Sequence, residues 1–96
     1  MNSILRIFGK RRVLLPVIHV HSSHQANYNA RVAMDNGADG VLLINQGSPA
    51  SETLRAAHQV AEAFPGLWVG VNILGQLDVD LLQVLYHGPL RGVWSD

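Results

Sequence analysis

Two imidazoles spaced two residues apart, His19 and His21, close the apolar run of residues 13–20. Histidine exchanges a proton near neutral pH and is the commonest metal ligand. In an extended strand, residues i and i+2 leave on the same side, so the pair is expected to face one site. Three later apolar runs also end in a polar side chain. Leu42-Leu43-Ile44 leads to Asn45, Trp68-Val69-Gly70-Val71 to Asn72, and Gly92-Val93-Trp94-Ser95 to Asp96. A carboxamide both donates and accepts, which suits a ribose hydroxyl, a base edge or a phosphate oxygen. A carboxylate at position 96 can act as a base, a metal ligand or a hydroxyl acceptor. The expectation is a site at one edge of a sheet, with His19 and Asp96 as acid/base candidates and His21, Asn45 and Asn72 binding a small-molecule substrate. Each of these residues could instead satisfy backbone groups where a strand frays into a loop. The agreement of four strand ends favours a site.

Other chemistry finds less support. A metal-dependent hydrolase could start from the His-x-His pair, but it needs ligands from further strands, so no metal is assigned. His24 adds an imidazole at His21-x-x-His24 spacing, but across a strand-to-helix turn. Ser22, Ser23 and Ser48 stand in no Gly-x-Ser-x-Gly setting, so a nucleophilic serine is not expected. Neither a Gly-x-Gly-x-x-Gly nor a Gly-x-x-x-x-Gly-Lys is present, and no motif names a cofactor. Trp68 and Trp94 are read as packing residues, and His58 and His87 as ordinary surface or cap residues.

The elements that must position these side chains follow from the periodicity. Residues 13–20 read as a strand apolar on both faces, with Pro16 marking an edge, a bulge or a strand start. Ser22 or Ser23 caps a first helix whose stripe is Ala26, Ala30, Ala33 and Met34, flanked by Tyr28 and Val32. Asn36-Gly37 closes it. After a second strand at 41–45, Ser48 as N-cap and Pro49 at the first helical position open a second helix with Leu54, Ala57, Val60, Ala61 and Phe64 on its stripe. Pro65-Gly66 stops that helix before a third strand at 67–73. Asp78 caps an expected short third helix, and residues 90–96 form a fourth strand. Residues 1–8 are expected to pack over one end of the sheet. The alternation predicts an α/β fold with parallel strands joined by right-handed crossovers. Four β-α units with this spacing suit the first half of a (β/α)8 TIM barrel, with a doubly wound sheet as the other architecture.

Composition bounds the function classes. The 96 residues make one small domain, and 48% are hydrophobic. Seven basic and seven acidic residues cancel, so nothing draws the chain to nucleic acid or an anionic membrane. The longest apolar runs reach about eight residues against about 18–20 for a spanning helix, so no membrane insertion is expected. Without cysteine there is neither a disulfide framework nor thiolate chemistry. A soluble cytoplasmic protein is expected.

The run Asn36-Gly37-Ala38-Asp39-Gly40-Val41, leading to Leu43-Ile44-Asn45 behind a strand closed by His19, resembles the BtpA family of TIM-barrel proteins. Phe64-Pro65-Gly66-Leu67-Trp68-Val69-Gly70-Val71-Asn72 is similar to that family's third strand, and Gly92-Val93-Trp94-Ser95-Asp96 to its fourth. The resemblance runs from about Phe8 onward. It implies a barrel acting on a nucleoside, a phosphoribosyl compound or a similar small polar substrate, and only the amino-terminal half of one. Because the family takes its name from a photosystem assembly factor, a non-catalytic assembly role is an alternative, as is an inactive truncated product. A half barrel leaves its first and fourth strands as open edges, which leads to the expectation of a homo-oligomer joined through them.

Overall fold

A computed structural model describes Gly9 and residues 13–45, 47, 49–73 and 90–95, with the backbone alone at 93–95. Among these residues the order is β1 (Val17–His19), α1 (Ser23–Asp35), β2 (Gly40–Ile44), α2 (Ala50–Ala63), β3 (Trp68–Ile73) and β4 (Gly92–Ser95). The expected third helix, the lead-in at 1–8, His87 and Asp96 lie outside the described residues.

The strands form one parallel sheet in the order β1-β2-β3-β4. β1 is shorter than its apolar run. Pro16 lies just before it, and the Pro16 carbonyl accepts from Leu42 N at 3.0 Å. Proline therefore stands just before an edge strand, where its carbonyl joins the ladder and its missing N–H forfeits only the bond at the strand's first step.

α1 begins on a side-chain cap and ends on a backbone one. Ser22 is its N-cap: the Ser22 hydroxyl accepts from Gln25 N at 3.0 Å, and the Gln25 side chain returns a bond to the cap backbone. At the other end, Gly37 N donates to Met34 O and Ala38 N to Ala33 O, with Gly37 at φ 87°. This is a Schellman ending, and its left-handed position requires glycine. The buried stripe is narrower than expected: Ala26 and Ala30 are fully buried and Ala33 partly, whereas Met34 is 40% exposed. Positions 26, 30 and 33 form one line along the helix, and Met34 is rotated about 100° from Ala33.

α2 starts one residue later than expected. Pro49 is its N-cap, extended at ψ 147° and without a side-chain cap bond. The Pro49 carbonyl accepts from Glu52 N and Thr53 N instead. The buried side is Thr53, Leu54, Ala56, Ala57 and Val60, while Ala61 and Phe64, expected on the stripe, are only partly buried. The Thr53 hydroxyl and His58 Nε2 are buried and find no hydrogen-bond partner among the described residues; His58 as a whole is half-buried.

Both helices cover the same side of the sheet. Ile18, Val20, Val41, Leu43, Val69, Val71 and Ile73 enter one core with the buried residues of α1 and α2. The alternate residues, Val17, His19, Leu42, Ile44, Trp68 and Asn72, face the other way and are exposed or half-buried. Right-handed crossovers between neighbouring strands in sequential order require this one-sided arrangement.

Asp39 ties the amino edge together. Leu14 N donates to Asp39 Oδ2 at 2.8 Å, Asp39 N donates to Leu14 O at 2.9 Å, and Trp68 N donates to Asp39 O at 3.2 Å. Gly40 follows because a Cβ there would collide with the Trp68 carbonyl oxygen and lie 2.8 Å from Trp68 Cβ. The Trp68 indole lies over Gly70 and Gly92, where added Cβ atoms would meet ring carbons at 2.6–2.7 Å. The packing role read for Trp68 is therefore a specific one. Gly40→Ala is expected to destabilise the chain by about 1–3 kcal/mol, because the obstructing atoms are backbone. Gly66→Ala, which meets nothing within 4 Å, should stay within about 0.5 kcal/mol. Urea denaturation of the two variants checks the contrast.

Candidate functional site

The register places the candidate residues. His19 pairs with Ile44, Ile44 with Asn72, and Asn72 with Trp94. Laterally paired residues of a parallel sheet share a face, so His19 and Asn72 stand in one row at the carboxyl edge, on the side that neither α1 nor α2 covers. With Ile44 between them, their backbones are about 10 Å apart, two strand spacings. His19 is exposed and Asn72 half-buried. A ligand lying across Ile44 could meet an imidazole at one end and a carboxamide at the other.

Asn45 lies one residue past that row. It is 8% exposed and buried like Val41 and Leu43, toward the helices. His21 departs from the expected alternation. Val20 N still bonds to Ile44 O at 3.0 Å, but the chain bends at His21 to reach the Ser22 cap. The strand that would have set both imidazoles on one side has already ended. Asp96 lies outside the described residues, as does any geometry it would add. Among the described residues, no three His, Asp or Glu side chains gather as a metal would require.

Gln25 fixes the turn between His19 and α1. Its Oε1 accepts from His21 N at 2.8 Å and Ser22 N at 3.3 Å, and its Nε2 donates to His19 O at 3.1 Å. One side chain thus holds the last carbonyl of β1 and two amides of the turn. The sequence carried a signal for it, since Ser22-x-x-Gln25 is a capping-box spacing.

Beside this turn is a cleft of about 180 Å³ lined by Val20, His21, Ser22, Ser23, Glu52 and Arg55. Its volume falls below the range of about 300–1,000 Å³ usual for small-molecule sites, so alone it suits an ion or one polar group. Glu52 and Arg55 lie off the apolar stripe of α2 and carry no motif in the sequence. Their place in the cleft comes from α2 starting at the same sheet edge where β1 ends.

No family model matches the chain, and no curated protein or solved structure matches it. No helix among the described residues is long and apolar enough to cross a membrane.

Gln25→Ala should cost about 1–2 kcal/mol, the scale of a lost N-terminal cap. The amides of His21 and Ser22 should exchange faster with solvent. Gln25→Glu keeps the two acceptor bonds and loses only the donation to His19 O, so its loss should be smaller. Hydrogen exchange and denaturant melts of both variants test the order.

Proposed function

We propose that the chain is the amino-terminal half of a BtpA-like (β/α)8 barrel, and that its carboxyl edge binds a small polar molecule of nucleoside or phosphoribosyl type. One observation carries this reading: His19 and Asn72 share a register row on the face that α1 and α2 leave open. A parallel sheet in sequential order with its helices on one side is how barrels are wound, and barrel sites lie at the carboxyl ends of the strands. A doubly wound sheet would reverse its order and place helices on both faces. The resemblance at residues 36–45, 64–72 and 92–96 agrees with it.

In this reading the His19 imidazole moves a proton to or from the ligand. The Asn72 carboxamide orients a hydroxyl or a phosphate oxygen. Asp96, following β4, supplies a second acid/base group. His21 stands at the rim, where Arg55 and the Ser22-Ser23 turn add donors for an anionic group. Asn45, on the helix-covered side, supports the edge from behind.

The test is calorimetric titration of the chain with ribose 5-phosphate, adenosine and inorganic phosphate. One of the ribose compounds should bind. His19→Ala or Asn72→Ala should weaken binding about tenfold, on the order of one lost hydrogen bond. Arg31→Ala, on the exposed side of α1, should leave it unchanged. Absence of binding, or equal affinity in all three variants, contradicts the proposal.

A further inference from the structure

The outer edge of β1 is built to be paired. Leu42 N bonds to Pro16 O and Val20 N to Ile44 O, so residues 16, 18 and 20 turn their backbone groups to β2. Alternation then directs the N–H and C=O of Val17 and the N–H of His19 outward. The His19 carbonyl is occupied by Gln25. Exposed edges are commonly blunted by proline, lysine or a bulge. Here Pro16 sits at a position whose N–H would face β2, so it protects nothing outside. No charged residue and no bulge lies between Pro16 and Val20.

Next to this edge runs a groove of about 390 Å³ between β1 and α1, lined by Pro16, Val17, Ile18, Val32 and Ala33 with Asn29 and Asn36. Val17 is 51% and Val32 44% exposed, and Tyr28 and Met34 on the same helix are exposed as well. A strand edge with no partner strand among the described residues, beside an apolar helix flank, is the shape that a neighbouring strand-helix unit fills.

We infer that a second copy of this chain fills it, with β4 of each copy pairing in parallel with β1 of the other. All four described strands point the same way, and β1 and β4 are the edges of the sheet they form. A two-fold axis along the strands therefore makes both seams parallel at once. The four described strands of each copy give eight, the number at which a closed sheet fills its interior with side chains. The faces that α1 and α2 leave open become that interior, and the rows holding His19 and Asn72 from both copies meet at one mouth. Zero net charge sets no long-range repulsion between the copies. The inference rests on the half-barrel reading proposed above and not on the choice of ligand.

Light scattering on the purified 96-residue chain should give twice the 10.5 kDa of one chain. Val32→Glu, on the exposed flank of α1, should raise the dimer dissociation constant about tenfold or more, since it sets a charge in an apolar contact. Val17→Lys, at the same edge but on the face that α1 and α2 leave open, should do the same, and Arg31→Glu, outside the groove, should not. A dimer indifferent to both groove variants overturns the inference, as do open-ended aggregates. A monomer overturns it too, and amide exchange then separates the causes. Rapid exchange at Val17 and His19 would remove the second copy alone. Protection of both amides in a monomer would mean that the same chain covers the edge, and the half-barrel reading would fall with it.

Discussion

Parallel pairing of each strand with the next one in the chain is the constraint on which the rest of this structure depends. Parallel neighbours need a crossover, and right-handed crossovers taken in one direction fall on one side. α1 and α2 therefore bury Ile18, Val41, Leu43, Val69 and Val71, while Val17, Leu42 and Ile44 are covered by neither. The same constraint sends every carboxyl end to one edge. His19, Asn45 and Asn72, far apart in the chain, become neighbours there without any contact among them being needed.

Two polar joints hold the two edges. At the amino edge, Asp39 binds the segment before β1 and the first amide of β3, and Gly40 lets the backbone of β3 come close. At the carboxyl edge, Gln25 binds the end of β1 and the start of α1. Each joint satisfies backbone groups that the sheet ladder leaves over. The Gly-Ala-Asp-Gly run that reads as a family feature thus has a structural task. The left-handed Gly37 ends α1, Asp39 ties three segments, and Gly40 makes room.

The limits of α1, the existence of α2, and strands β2 to β4 were legible in the sequence. Their signals are local: Ser22 and Gln25 at a start, Asn36-Gly37 and Pro65-Gly66 at ends, Val and Ile runs between. What was not legible concerns faces. Residues 41–44 are apolar on both sides, so nothing in them shows which side the helices take. Only the register, Ile44 beside His19 and Asn72, puts Asn45 on the buried side. His21 was misplaced for a related reason. The i, i+2 argument holds while the strand lasts, and the Ser22 cap ends it first. The cleft residues Glu52 and Arg55 were hidden because helix periodicity describes what a helix buries and not which sheet edge its first turn reaches.

The central claim is that one row on the helix-free face, and not the helix-covered side, meets the ligand. Two-dimensional amide NMR of the labelled chain titrated with ribose 5-phosphate tests it directly. The account predicts shifts concentrated at His19, Ile44 and Asn72, including the Asn72 side-chain amide, with the Asn45 side-chain amide little changed. Shifts centred on Asn45 and the buried residues of α2, or no shifts in the His19–Asn72 row at saturating ligand, would contradict it.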